Sequence, residues 1–590
     1  MKIIAGLCLF GVLGTACGGS LQDSTFTALE PAAGQTSLLA LSSGSYYRET
    51  PAGDYLASQF AQNRHDWKTA EQYLSRVLEH DPENADLRRR AMILAMGAGE
   101  TSRAIATARK IIQTDPKNDL ALLIVTLDQF SRAHYSEAQT TLKQMQAGSI
   151  GKLIAPILQA WATSASGQAD VSGLQPLTLH YYHAYMIADY LGRKSDLPAL
   201  ADKIFTDPSF DYYTLDRIAQ SLYRNGFKDK AAALYKQAEK AGDSDPDVIA
   251  AKIAGLAKDT PAHNPISTPA HGAGEAFFDL ARLMLREGSV ESAKIFTRMS
   301  LHLNPSSEEA RLVLAGLLIQ DERYDLAIGY LRGIPATSPL YADAQRQAAA
   351  LLEEQGNRAE AVRVLDTMYK EHGDINALIT IGDIHRNAGE YEAAIDIYND
   401  AAKAIGGKKV PEKYWGLLYV RGMAYERAGN IASAERDLKA ALAYRPNHAY
   451  LLNYLGYSWA DHGRNLDEAL KLLEKAAMLE PEDGYIADSL GWVLFKMKRY
   501  DEAVPHLEQA VSLLPYDPEI NDHLGDAYWQ AGRRAEARFQ WERAANNSDD
   551  DAIKGVITAK LTSGLGKDGE PPIIEAAVPA AAGETATALP

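Results

Sequence analysis

Cysteine is almost absent from this sequence. Its 590 residues hold two, Cys8 and Cys17, both near the start. Beyond them no thiol remains for a disulfide, a redox pair or a thiolate metal site, so stability has to come from burial. Basic charge is also short: 60 Lys and Arg against 77 Asp and Glu give a net charge of −17. A nucleic-acid surface needs a basic stripe to displace counterions, so no nucleic-acid partner is expected. Catalytic motifs are missing too: there is no Gly-rich phosphate loop, no HExxH helix and no GxSxG elbow. His180 and His183, in HYYHAY, have no acidic or thiol ligand nearby, and a structural place in a helix outweighs a metal site. The run Asp549-Asp550-Asp551 lacks the alternating ligands and glycine of a calcium loop. We therefore expect a chain that is not an enzyme, with no metal, no cofactor and no small-molecule substrate.

What is present is a period. Residues 453–547 carry one phrase three times, as NYLGYSWADHGRNLDEALKLLEKAAMLEP, DSLGWVLFKMKRYDEAVPHLEQAVSLLP and DHLGDAYWQAGRRAEARFQWERAANN. Gly456, Gly491 and Gly525 recur at intervals of 35 and 34 residues, and Ala469, Ala503 and Ala537 at 34 and 34. Each unit reads as two amphipathic helices, with the glycine and the alanine placed where their backbones cross. Pro481 and Pro515 follow the second helix and end the unit. The phrase resembles the tetratricopeptide (TPR) repeat, which implies an all-α superhelical solenoid.

The same marks extend along the chain. Ala57, Ala70 and Pro82 open the array, and Ala91, Ala104 and Pro116 repeat them 34 residues later. A third unit keeps Ala138 but has Thr126 at the first small position, and 150–208 is helical without clear register. Ala219 with Ala231, Ala281 with Ala293, Ala315 with Ala327 and Ala349 with Ala361 mark further pairs. Gly382/Ala394 and Gly422/Ala434 are 40 residues apart, which fits an extended turn at 406–415. About twelve helix-turn-helix repeats result. The expected organisation is a signal at 1–17, a flexible tether at 18–50 and a degenerate array at 51–257. A proline-bearing loop or hinge follows at 258–273, then a second array with a capping helix at 274–565 and a disordered tail at 566–590.

Residues 1–17, MKIIAGLCLFGVLGTAC, read as an export signal, with Lys2 before an apolar core and small residues before Cys17. The pattern resembles the lipobox of bacterial lipoproteins, which implies lipidation at Cys17. Gly14 stands where a larger aliphatic residue is usual, and cleavage without a lipid is the alternative. Gly18 and Gly19 follow Cys17 in place of the aspartate that favours inner-membrane retention in such lipoproteins. The expected location is the periplasmic face of the outer membrane, held by the lipid alone.

In the repeat it resembles, the first helix of each pair lines a concave face. Phasing each glycine at the eighth position places Tyr419, Met423, Tyr450, Asn453, Tyr457, Asp461, Tyr485, Asp488, Trp492, Phe495, Asp522, Asp526 and Trp529 on it. Aromatic area and short polar acceptors suit a polypeptide ligand. The other reading is that Trp492, Phe495 and Trp529 pack between neighbouring repeats. The phrases LLYVRGMAYERAGN, LNYLGYSWAD, DGYIADSLGWVLF and INDHLGDAYWQAGRRAEARFQW resemble a proteobacterial family of exported TPR lipoproteins. That resemblance implies a non-catalytic adaptor with protein partners: a periplasmic carboxyl-terminal processing protease and the peptidoglycan hydrolases presented to it. An assembly or pilot lipoprotein of an outer-membrane secretion or export complex is the alternative.

Overall fold

The computed structural model describes residues 50–145, 149–206, 212–241, 249, 252–255, 266–407, 409–566 and 569. The signal with Cys17, nearly all of the tether, and the tail except Gly566 and Gly569 lie outside the described residues. Among the described residues the chain is helical with no strand, and helices pair through short turns. No helix among them is long and apolar enough to cross a membrane.

The signals that make the pairs are local. Asn84, Asn118, Ser307, Asp374, Asp483 and Asp517 each accept a backbone N–H in the first turn of the helix they precede. Each cap is worth about 1 kcal/mol. Within a pair, the residue two places before the second helix takes the left-handed conformation. Gly389, Gly429 and Gly532 supply it at φ of 77°, 77° and 82°, but His65, Ala133, Glu322 and Lys498 adopt it at 55°, 58°, 58° and 62°. A Cβ there costs about 1 kcal/mol. Ala133→Gly is therefore expected to stabilise the protein by about 0.5 kcal/mol after the added freedom of the unfolded chain is subtracted. A melting temperature that fails to rise would remove the strain argument.

The crossings are as tight as the period implies. A Cβ on Gly491 would lie 2.5 Å from Leu507 Cγ, and one on Gly525 would lie 2.4 Å from Trp541 Cδ1. The glycine thus makes room for the side chain one turn beyond the alanine, with Ala503 and Ala537 themselves fully buried. In the first pair the register differs by one from the expectation. Ser58, not Ala57, occupies the crossing: it is fully buried and its Oγ donates to the Ala70 carbonyl at 2.8 Å.

The chain divides into two compact units between Ala344 and Gln345. In the first, the helix Pro269–Arg286 packs on Ser149–Ser164 and touches Asp119–Ser131 and Thr178–Tyr190, while Val290–Leu303 packs on Ala85–Ala98. Ala85–Ala98, Asp119–Ser131 and Thr178–Tyr190 are first helices of their pairs, so residues 269–303 fill the inner side of the first array. The stretch 258–273 is accordingly not all loop. Thr268 accepts from the His271 N–H and Pro269 opens the helix, which a capping threonine before proline can signal in a sequence; residues 258–265 lie outside the described ones.

The filled side carries a buried polar cluster. Trp161 Nε1 donates to His183 Nδ1 at 3.1 Å, and the other ring nitrogen stands 3.2 Å from Asp279 Oδ2. Arg217 reaches Glu275 at 2.7 Å, the Tyr213 hydroxyl donates to Glu275 at 2.8 Å, and Arg282 pairs with Asp279 at 2.9 Å. Burial lowers the His183 pKa to about 3 and raises those of Glu275 and Asp279 to about 7. His180 accepts the Gln175 N–H through Nδ1 at 2.8 Å and meets the Leu153 carbonyl at 2.9 Å through Nε2. Both histidines therefore serve the packing. His65, Glu291 and Asp321 also bring ligand-type atoms within 4.8 Å of one another. Lys294 Nζ stands 3.1 Å from Glu291 and 2.5 Å from Asp321, where it serves as the cation of that cluster.

In the second unit the pairs stack in order, and the helix Asp551–Ser563 covers the last of them. Asp550, from the acidic run, caps that helix. Lys560, 4% exposed, lies 2.6 Å from Asp522 Oδ2 and 2.8 Å from Asp526 Oδ2.

Candidate functional site

Four successive first helices of the second unit, Trp415–Arg427, Ala449–Asp461, Gly484–Lys496 and Pro518–Gln530, carry the residues expected on the inner face. The structure sorts them by access. Tyr450 and Tyr485 are 50% and 51% exposed. Asp461 is exposed, and Tyr419, Met423, Asn453, Tyr457, Asp522 and Trp529 are half-buried.

Asp488, Trp492, Phe495 and Asp526 are buried, and for Asp488, Trp492 and Asp526 this corrects the expectation that they are offered to a partner. The cause is the neighbouring repeat. His523 stacks on Trp492 with ring centroids 3.8 Å apart and bonds Asp488 at 2.9 Å, while Trp492 stacks on Phe495 at 4.8 Å. Asp526 is closed off by Trp541 Nε1 at 2.8 Å and by Lys560. For Trp492 the packing reading fits, whereas Phe495 packs on Trp492 and also meets Gly569 of the C-terminal segment.

His523 was not singled out by the sequence, because it sits between the inward positions of its helix. Burial alone would lower its pKa, but the Asp488 carboxylate outweighs this and, with Glu519 and Asp522, raises it to about 9. A histidine whose folded value is raised stabilises fully below its unfolded value of about 6.5 and loses that contribution as pH rises through about 9. Stability of the last repeats is thus expected to fall by on the order of 3 kcal/mol between about pH 6.5 and 9. Thermal melts across that range should show the slope, and Asp488→Asn should flatten it; an unchanged slope would assign the pH dependence elsewhere.

The open part of the face lies one and two repeats earlier. Trp415 and Tyr450 flank His448 with ring centroids at 4.9 and 6.0 Å, and Tyr419 lies 6.4 Å from the same imidazole. Tyr457 donates to Glu519 Oε1 at 2.9 Å, reaching past the intervening repeat. The side-chain oxygen of Asn453 is buried without a hydrogen-bond partner. Two tyrosine faces one repeat apart and the carboxylates of Asp461 and Glu519 thus share one surface. This arrangement can hold polypeptide: rings cover apolar side chains or methylenes, and the oxygens accept main-chain N–H groups. Trp415 and His448 complete it, although they precede the phased positions and the period gives no signal for them.

Sequence models described as "Tetratricopeptide repeat" match residues 62–126 and 494–558, and a second such model matches 346–408 and 419–484. The helix pairs within these segments match the tetratricopeptide repeat. The matched TPR segments fall in both units. The chain is 35% identical over 117 residues to the TPR repeat-containing protein PA4667 of Pseudomonas aeruginosa, which is 18% of this chain and 20% of that protein. It is 28% identical over 171 residues to the cellulose synthase operon protein C of Pseudomonas fluorescens, 28% of this chain and 13% of that one. The chain thus spans about a fifth or less of the length of either relative. Among solved structures, a tetratricopeptide repeat protein from Parabacteroides merdae aligns at 16% identity and a TM-score of 0.32, covering 48% of this chain and 97% of its own.

Proposed function

We propose that the chain is a non-catalytic TPR adaptor whose second unit grips polypeptide along the inner face of residues 415–530. The observation that carries this reading is the exposure of Tyr450 and Tyr485, at 50% and 51%, on successive repeats. The Tyr485 hydroxyl also donates to Asp517 at 3.4 Å, but half of each tyrosine stays solvated, and tyrosine is enriched where partners bind.

The finer reading rests on the sequence. Cys17 fixes the chain by a lipid to the periplasmic face of the outer membrane. The partners are a carboxyl-terminal processing protease and the cell-wall hydrolases it cuts, as the resemblance of the repeat phrases implies. A second reading is an assembly or pilot lipoprotein of an outer-membrane secretion or export complex.

Co-purification from detergent-solubilised membranes separates them. Recovery of a protease with cell-wall hydrolases supports the adaptor, and recovery of an export pore without protease replaces it with the second reading. Tyr450→Ala with Tyr485→Ala should lower partner recovery at least tenfold with an unchanged melting temperature. Recovery that stays at the wild-type level would remove this face as the binding site. Cys17→Ser should release the chain from the membrane fraction, and retention there would overturn the anchor.

A further inference from the structure

The last repeat is covered twice, and only one covering is needed to close the array. The helix Asp551–Ser563 seals the open end through Lys560. After it the chain turns back over the inner face. Trp529 Nε1 donates to the Leu565 carbonyl at 3.2 Å, and Gln530 Nε2 donates to the Gly566 carbonyl at 2.8 Å. Gly564, at φ 73°, lies so close to the Trp529 ring that a Cβ would fall 1.9 Å from it. Gly569, at φ 81°, would place a Cβ 3.0 Å from the Phe495 ring, one repeat earlier. Leu565 is 8% exposed.

These contacts have the form of ligand recognition. Two side-chain donors at the end of one helix read consecutive main-chain carbonyls, and two rings on successive repeats receive bare glycine backbone. The glycines are what fits, since a side chain at either place would meet the ring and would also oppose the positive φ. Nothing in sealing the end of a solenoid requires the chain to run back onto the face that faces partners.

We propose that Phe495, Trp529 and Gln530 form a subsite for an extended, glycine-bearing polypeptide segment. The chain keeps this subsite filled with its own Gly564, Leu565, Gly566 and Gly569 until a partner segment of the same chemistry displaces them. The open surface at Tyr450 and Tyr485 is then the first point of contact, and the filled subsite is the one that partner binding has to uncover. This rests on the reading of the second unit as a polypeptide-binding face.

The probe is a fluorescein-labelled peptide with the sequence of residues 561–570, titrated by anisotropy into the full chain. Gly564→Val with Gly569→Val, which ejects the internal segment and leaves the subsite side chains intact, should bind the peptide at least tenfold more tightly than wild type. Adding Trp529→Ala should abolish that gain. Equal affinity of wild type and variant, or affinity indifferent to Trp529, would overturn the proposal. Should the valine pair lower the melting temperature, Leu565→Asp alters the internal segment alone and gives the same readout. The assay needs no cellular partner. A partner captured without peptide discrimination would remove the internal competitor and leave the adaptor standing, and the reverse pattern would remove the adaptor alone.

Discussion

Lys560→Met is expected to destabilise the end of the second unit by about 3–5 kcal/mol, because it strands a buried charge. Asp526 is 4% exposed, and its carboxylate is held by the lysine and by Trp541 Nε1. Methionine keeps most of the side-chain volume but leaves that carboxylate without a counter-charge. The loss should be local. TPR units contact chiefly their neighbours, so the terminal ones fray without unfolding the rest. The expected record is a separate, lower-temperature transition in circular dichroism, with amide exchange quickened over 518–563 and unchanged over 375–461. Asp526→Asn in the same chain should recover much of the loss. A single melt at the wild-type temperature would show that the ion pair does not hold the closing helix.

Arg217→Met should cost the first unit a similar amount, about 3–5 kcal/mol. Glu275 is 2% exposed and would keep only the Tyr213 hydroxyl among the partners described above. The pH dependence gives the test its sign. The Glu275 pKa is already raised by burial to about 7, above the unfolded value of about 4.3. A carboxyl raised in the fold favours folding when protonated, and that contribution is lost as pH rises through the folded value. The deficit of Arg217→Met should therefore be smaller at pH 5 than at pH 8. A deficit independent of pH would trace the loss to packing of the arginine stem.

The sequence made the repeat legible because a period constrains residues that must pack, and the small residues at Gly382, Gly422, Gly456, Gly491 and Gly525 all meet side chains of the second helix. Where the small residue is doubled by chance, as with Ala57 beside Ser58, composition cannot choose the register and a buried hydrogen bond does. The candidate site was legible only in part. Phasing names the positions that turn inward, but the side chains of the neighbouring repeat decide which of them stay open, as His523 does for Trp492. The filling of the first unit was hidden for another reason. Residues 269–281 look like any proline-led, glycine- and alanine-rich stretch, and their small size matters only beside Trp161, which is more than a hundred residues earlier in the chain.

That filling sets the order in which the protein can be made. A tie such as His65 with Glu291 closes 226 residues of chain, whereas the longest tie described above for the second unit, Tyr457 with Glu519, closes 62. Loop closure must precede the contacts that reward it, so folding slows as contacts become less local. As the chain emerges from its N-terminus, the first array has to wait for residues 269–303 with its inner side uncovered. The second unit can assemble repeat by repeat as it emerges. The first helices of the chain therefore spend longest without their packing partners, and they are the part with most need of a chaperone on the way.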